Sequence, residues 1–110
     1  MEIAAASRAF DALGHPTRLA VFRLLVPAGE AGIPAGQISG QLMLPPSTLS
    51  SHLAVLQEAG LIAVQRQGRT LRYSVHRAGL VQLTGWLLQD CCGGSPELCA
   101  PVLARIACAC

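Results

Sequence analysis

Ala35-Gly36-Gln37-Ile38-Ser39-Gly40-Gln41-Leu42-Met43-Leu44-Pro45-Pro46-Ser47-Thr48-Leu49-Ser50-Ser51-His52-Leu53-Ala54-Val55-Leu56-Gln57-Glu58-Ala59-Gly60 is the stretch that decides the fold. Ile38 and Leu42 anchor a short helix over 35–43. Leu44-Pro45-Pro46 reads as a tight turn. A second helix then starts near Ser47 and stops at Gly60, where a glycine suits the C-terminal position. Leu49, Leu53 and Leu56 recur at i, i+4 and i+7, so one side of this second helix is tied to a core. At 100° per residue, Ser47, Ser51, Ala54 and Glu58 face the other way, with Thr48 and Ser50 beside them. Two short helices joined by such a turn form the helix-turn-helix pattern.

Downstream of Gly60 the hydrophobic period changes from helical to alternating. Ile62 and Val64 alternate with Ala63 and Gln65, and Leu71, Tyr73 and Val75 alternate with Arg72 and Ser74. Arg66-Gln67-Gly68-Arg69 between them is a hairpin turn whose glycine tolerates positive φ. This is a β-ribbon wing. A long helix over 78–90 follows, with Leu80, Leu83 and Leu87 on one stripe and Val81 and Leu88 on another. That surface is wide enough to bury against both its own core and a partner subunit.

Upstream, 3–13 reads as a first helix with Ile3, Phe10 and Leu13 on one side. Gly14-His15 interrupts it and Pro16 opens a second. There, Leu19, Phe22 and Val26 form the expected core stripe. Pro27 and 28–34 read as loop. The fold class is therefore mainly α with a β-hairpin wing, a homodimeric winged helix-turn-helix over 1–92. A cysteine-containing tail, 93–110, carries Pro96 and Pro101 and has room for one further helical turn.

Composition supports that organisation. A chain of 110 residues suits one domain. Hydrophobic residues make up 52% of it, but no apolar run approaches the ~20 residues of a membrane span. The N-terminus lacks a basic segment followed by an apolar one, so a soluble, cytosolic protein without a secretory signal is expected. So much apolar surface on so short a chain leaves some over for a second copy.

The net charge of +2 says little by itself, but its distribution says more. Every basic residue is arginine, and Arg66, Arg69, Arg72 and Arg77 fall in a segment with no acid. Arginine offers a planar fork to phosphate oxygens and guanine edges. Candidate DNA contacts are therefore Ser47, Thr48, Ser50, Ser51 and His52 on the recognition helix. Arg69, then Arg66 and Arg72, are the candidates on the wing, which can follow the backbone or enter the minor groove. Short hydroxyls let a helix approach base edges, and its N-terminal amides suit phosphate. The plainer readings are a solvated hairpin and a serine-capped surface helix; His52 fits a half-buried structural histidine as well as a phosphate contact.

Residues 12–19 (Ala-Leu-Gly-His-Pro-Thr-Arg-Leu), then 47–62, then Gln67-Gly68-Arg69 and Tyr73, closely resemble the ArsR/SmtB family of bacterial metal-sensing repressors. The match runs over roughly residues 8–90, with several separated motifs in order. The resemblance implies a homodimer built through the first and last helices, binding of double-stranded operator DNA without inducer, and release when an ion binds. Pro45 departs from the family's usual capping side chain before the recognition helix. The Cys-x-Cys that other arsenic-responsive members carry near the helix-turn-helix is absent.

All five cysteines (Cys91, Cys92, Cys99, Cys108 and Cys110) lie in the last fifth of the chain. In a reducing compartment such clustering reads as metal or redox chemistry. Cys91 and Cys92 diverge by about 100° on an ideal helix, but Gly93-Gly94 relaxes that constraint, and Pro96 helps fold Cys99 back over them. Three thiolates suit a soft, three-coordinate ion. With As(III) or Sb(III) the set is formally neutral, whereas zinc held by four thiolates would be doubly negative and needs all four ligands well spaced. Family members resembling this chain sense arsenite through a Cys-Cys pair and a nearby cysteine beyond the last helix. As(III) or Sb(III) is therefore the expected inducer, with no cofactor needed for folding. Cys108 and Cys110 are possible additional ligands. Thiol redox or persulfide sensing, Cd, Pb or Zn sensing, and incidental reduced thiols remain open.

One catalytic-looking pattern is Cys99-x5-Arg105, the spacing of phosphate-cradling loops in low-molecular-weight phosphatases and arsenate reductases. Its interior holds Pro101, which has no amide proton, and bulky Val102 and Leu103, a poor oxyanion cradle. No paired carboxylates, Ser-His-Asp set or nucleotide loop appears elsewhere, and the chain reads as a non-enzyme.

Overall fold

Pro16 fixes its own φ and cannot donate an amide proton, so the chain breaks between two helices ahead of it. The computed structural model, which describes residues 1–89 and 97–107, places α1 at Ile3–Leu13 and α2 at Pro16–Leu25. A 3-10 segment (Val26–Ala31) and a two-residue strand β1 (Ile33–Pro34) lead into α3 (Ala35–Leu42) and α4 (Pro46–Glu58). Then come β2 (Ile62–Gln67), β3 (Thr70–Val75), α5 (Arg77–Leu87) and α6 (Cys99–Ala107). No helix among the described residues is long and apolar enough to cross a membrane.

The α1–α2 junction is held by side chains. His15 Nδ1 accepts from the Thr17 amide at 3.1 Å, capping α2. The Arg18 guanidinium donates back to the Ala12 carbonyl at 2.6 Å, satisfying an acceptor that the end of α1 leaves open, and at 3.4 Å to the Asp11 carbonyl, which also accepts from the Gly14 amide.

The core runs through every layer: Val21 and Leu25 from α2, Ile38 from α3, Leu49 and Leu56 from α4, and Leu61 are fully enclosed. Each contributes about 1.5–3 kcal/mol by leaving water. The expected core stripe of α2 is corrected in part, and on α1 the buried side is not the one that carries Ile3 and Phe10. On α1 the buried residues are Ala6, Ala9 and Ala12, while Ile3 and Phe10 are exposed. On α2 they are Val21, Phe22 and Leu25, while Leu19 and Val26 face outward. The small alanine face lets α1 lie close to α4, and the bulky side chains point away from this chain's interior.

The wing is three-stranded, in order β1-β3-β2, all antiparallel. Ile33 pairs with Tyr73 and Pro34 with Arg72, so part of the expected 28–34 loop is an edge strand. Gln67 opposes Thr70, placing Gly68-Arg69 at the tip one residue later than the pattern suggests. Gly68 has φ +62° and Arg69 is not among the positive-φ residues, the arrangement of a type II′ hairpin. α5 begins one residue earlier than expected and ends at Leu87, and α6 is a nine-residue helix rather than a single turn.

Candidate nucleic-acid interface

The leucine stripe of α4 determines what the helix presents. With Leu49, Leu53 and Leu56 buried, the side chains of Ser47, Thr48, Ser50, Ser51, Ala54 and Glu58 are all exposed. Ser51 Oγ donates to the Ser47 carbonyl at 3.3 Å, which keeps that hydroxyl against its own helix. α4 starts at Pro46 with Pro45 before it and no side-chain cap. Leu49 N–H donates to the Pro45 carbonyl, and the amides of Ser47 and Thr48 precede the first intrahelical bond. Those amides and the positive end of the helix dipole face solvent, which suits an anionic oxygen. The turn from α3 is closed by Met43 in a left-handed conformation, φ 53° and ψ 47°, and by Leu44 N–H donating to the Ser39 carbonyl at 3.0 Å.

His52 sits at the inner edge of α4, half-buried, its ring centroid 4.7 Å from that of His15 at an interplanar angle of 44°. Burial, then His15 and the Arg18 guanidinium, push the His52 imidazole below its ordinary pKa. It therefore joins the recognition helix to the α1–α2 junction.

Arg69 lies at the hairpin tip and Arg66 on β2, both exposed. Among the described residues neither forms an ion pair; the one found there joins Arg77 to Glu30 on the surface at 3.2 Å. Arg72 is placed differently. Its guanidinium donates to the carbonyls of Ala31 and Gly32 at 2.9 and 3.1 Å, tying β3 to the segment before β1. No local pattern marks that job, because its partners lie some forty residues away in sequence. His15 and Arg18 are likewise junction residues with no individual signature beyond their place beside Pro16.

Cys99 opens α6, is buried against α5 and is disulfide-bonded. Cys91, Cys92, Cys108 and Cys110 lie outside the described residues. Among the described residues no group of three His, Cys, Asp or Glu side chains could hold a metal ion. Cys99-x5-Arg105 falls on the helix α6 instead of a wrapped loop.

A helix-turn-helix domain model matches residues 13–65. The chain is 34% identical over 70 residues to the HTH-type transcriptional regulator YgaV of Escherichia coli, covering 64% of this chain and 69% of that one. Its fold superposes on an ArsR-like transcriptional regulator from Rhodococcus sp. RHA1 with a TM-score of 0.68 and 26% identity, over 94% of this chain and 93% of the other. The chain belongs to the ArsR family of winged helix-turn-helix transcriptional regulators. That makes this ArsR-family protein a member of a family of regulators and not of enzymes. It also resembles HTH-type transcriptional regulator Rv0081 of Mycobacterium tuberculosis, 35% identical over 75 residues, or 67% of this chain; the match spans 63% of that relative's length. A further structure, a possible transcriptional regulator for arsenical resistance, is 28% identical with a TM-score of 0.62, over 83% of this chain and 92% of that one.

Proposed function

We propose that this ArsR-family protein is a homodimeric repressor that binds duplex operator DNA and leaves it when trivalent arsenic is captured by tail cysteines. One observation carries the DNA half. A helix pinned by Leu49, Leu53 and Leu56 exposes Ser47, Thr48, Ser50 and Ser51, beside a hairpin with Arg69 at its tip and Arg66 on its strand. Two such units about a two-fold axis address half-sites about 34 Å apart. Arg72, occupied with backbone carbonyls, contributes by holding the wing.

The inducer reading rests on the thiols. Once the disulfide at Cys99 is reduced, Cys91, Cys92 and Cys99 offer three thiolates, and the buried position of Cys99 against α5 links any ion there to a helix with exposed apolar side chains. The structural relative named for arsenical resistance points the same way. Ion binding orders the tail, shifts α5 and disfavours the recognition-helix spacing that the operator needs. By reciprocity the operator weakens ion affinity by the same factor, a coupling of about 1–3 kcal/mol.

Fluorescence anisotropy on a labelled operator, titrated with arsenite under reducing conditions, tests this reading. Arsenite is expected to raise the apparent Kd for the wild type. Cys91→Ser, Cys92→Ser and Cys99→Ser are expected to keep operator affinity and lose that response. Normal release by these variants would remove the tail site. The disulfide at Cys99 favours a second reading, thiol oxidation as the signal. Release by oxidant alone, abolished in Cys99→Ser while arsenite stays inert, would establish it in place of the first. Cd(II), Pb(II) and Zn(II) in the same titration sort the soft metals.

A further inference from the structure

A cavity of about 140 Å³ lies where α3, α4 and β3 meet. Leu49 and Leu53, buried on α4, and Leu71 of β3 make it apolar, while Gly36, Pro46 and Ser50 in its wall are exposed, so it opens to solvent. Ser50 and Tyr73 bring hydroxyls to the wall that have no hydrogen-bond partner among the described residues. No charged side chain among the described residues lines it. Size and lining choose the guest. An apolar cavity of about 150 Å³ is enough to take up benzene, whereas sites for drug-sized molecules start near ~300 Å³. A charged guest would lose its hydration with no counter-charge to replace it.

From this we infer that the cavity between the recognition helix and the wing binds a neutral, single-ring molecule carrying a hydroxyl or carbonyl, and that filling it weakens operator binding. The coupling follows from what the two walls carry. Ser50, a proposed DNA contact, is on one wall, and Leu71 on the other is two residues from Arg69 at the hairpin tip. A guest hydrogen-bonded to Ser50 withdraws that hydroxyl from DNA and fixes the distance between helix and wing. The signal enters at the reading head itself, apart from the cysteine tail. The site stands on the fold alone; its effect on the operator rests on the repressor reading above.

Phenol is the probe, added to the full chain under reducing conditions without DNA. Isothermal titration calorimetry is expected to show one phenol per chain with a Kd of about 1 mM or tighter, well within what seven non-hydrogen atoms can supply. Benzoate, the same ring with a charge, is expected to bind at least about tenfold more weakly. In methyl NMR the Leu49, Leu53 and Leu71 signals should move with phenol, and that of Leu83, buried on α5, should not. Gly36→Leu fills the cavity from α3, where a Cβ meets no heavy atom within 4 Å. Trading glycine for a good helix former keeps or raises the helical circular dichroism, and phenol binding is expected to fall at least about tenfold. Operator anisotropy gives the second arm: saturating phenol is expected to raise the apparent Kd at least about threefold for the wild type and not for Gly36→Leu. No saturable phenol binding, unchanged binding in Gly36→Leu, or shifts confined to other methyls would overturn the site and leave the repressor reading standing. Binding that leaves operator affinity unchanged would overturn the coupling. A protein that takes up phenol but grips no operator would remove the repressor reading and keep the site.

Discussion

His52 links α4 to the start of α2 through one ring: it belongs to α4, lies against His15, which caps α2, and is near Arg18. Burial first, then His15 and Arg18, hold its pKa below the ordinary histidine value. The unfolded chain therefore takes up a proton near pH ~6.5 that the folded chain refuses until lower pH. The stability this neutral ring contributes is complete above that value and is lost as pH falls through the lower, folded one. Thermal midpoints measured from about pH 8 down to about pH 5 should drop more for the wild type than for His52→Asn. Equal slopes would show that the paired ring carries no such linkage. At Gly79 the constraint is steric. A Cβ there would stand 1.9 Å from the Gly60 carbonyl oxygen, while the Gly79 amide donates to His76 Nδ1 at 3.2 Å. Gly79→Ala should cost about 2–3 kcal/mol in chemical denaturation, and an unchanged midpoint would contradict this packing.

Among the elements, the wing separates its arginines by task. Arg69→Ala is expected to lower operator affinity, reduce the salt dependence by about one phosphate contact, and leave folding intact. Arg72→Ala is expected to cost about 1–2 kcal/mol of stability, because the Ala31 and Gly32 carbonyls lose their donor. A pair of variants with the opposite pattern would reverse the assignment. The same elements show what a sequence displays and what it hides. α4 is legible because three leucines repeat at helical spacing, and β2 and β3 because Ile62, Val64, Tyr73 and Val75 alternate. β1 is not: two residues carry no period, and Pro34 argues against a strand. The faces of α1 and α2 escape a reading that equates bulk with a core. Ala6, Ala9 and Ala12 are the buried positions instead, since a close helix approach needs small side chains. Of the candidate site, the outward serines follow from the leucine stripe, whereas Arg72 depends on a tertiary contact no window contains. Cys99 alone of the thiols lies within the described residues.

On the scale of the whole molecule, Ile3, Phe10, Leu19, Val81 and Leu87 are more large apolar surface than one chain's interior takes in. A homodimer removes part of it from water, so the thermal midpoint should rise with protein concentration at fixed pH and salt. A midpoint independent of concentration would argue for an uncoupled monomer.

The Arg72 staple carries a consequence for induction. By fastening β3 to the residues just before α3, it makes the reading head of each protomer behave like one jaw of a caliper, stiff in itself. In the proposed homodimer, the proposed inducer would then have only the gap between the jaws to change. A DNA fragment cut down to one half-site should be gripped weakly, and arsenite should make no difference to that grip; if arsenite still loosened it, the jaw itself would be the part that bends.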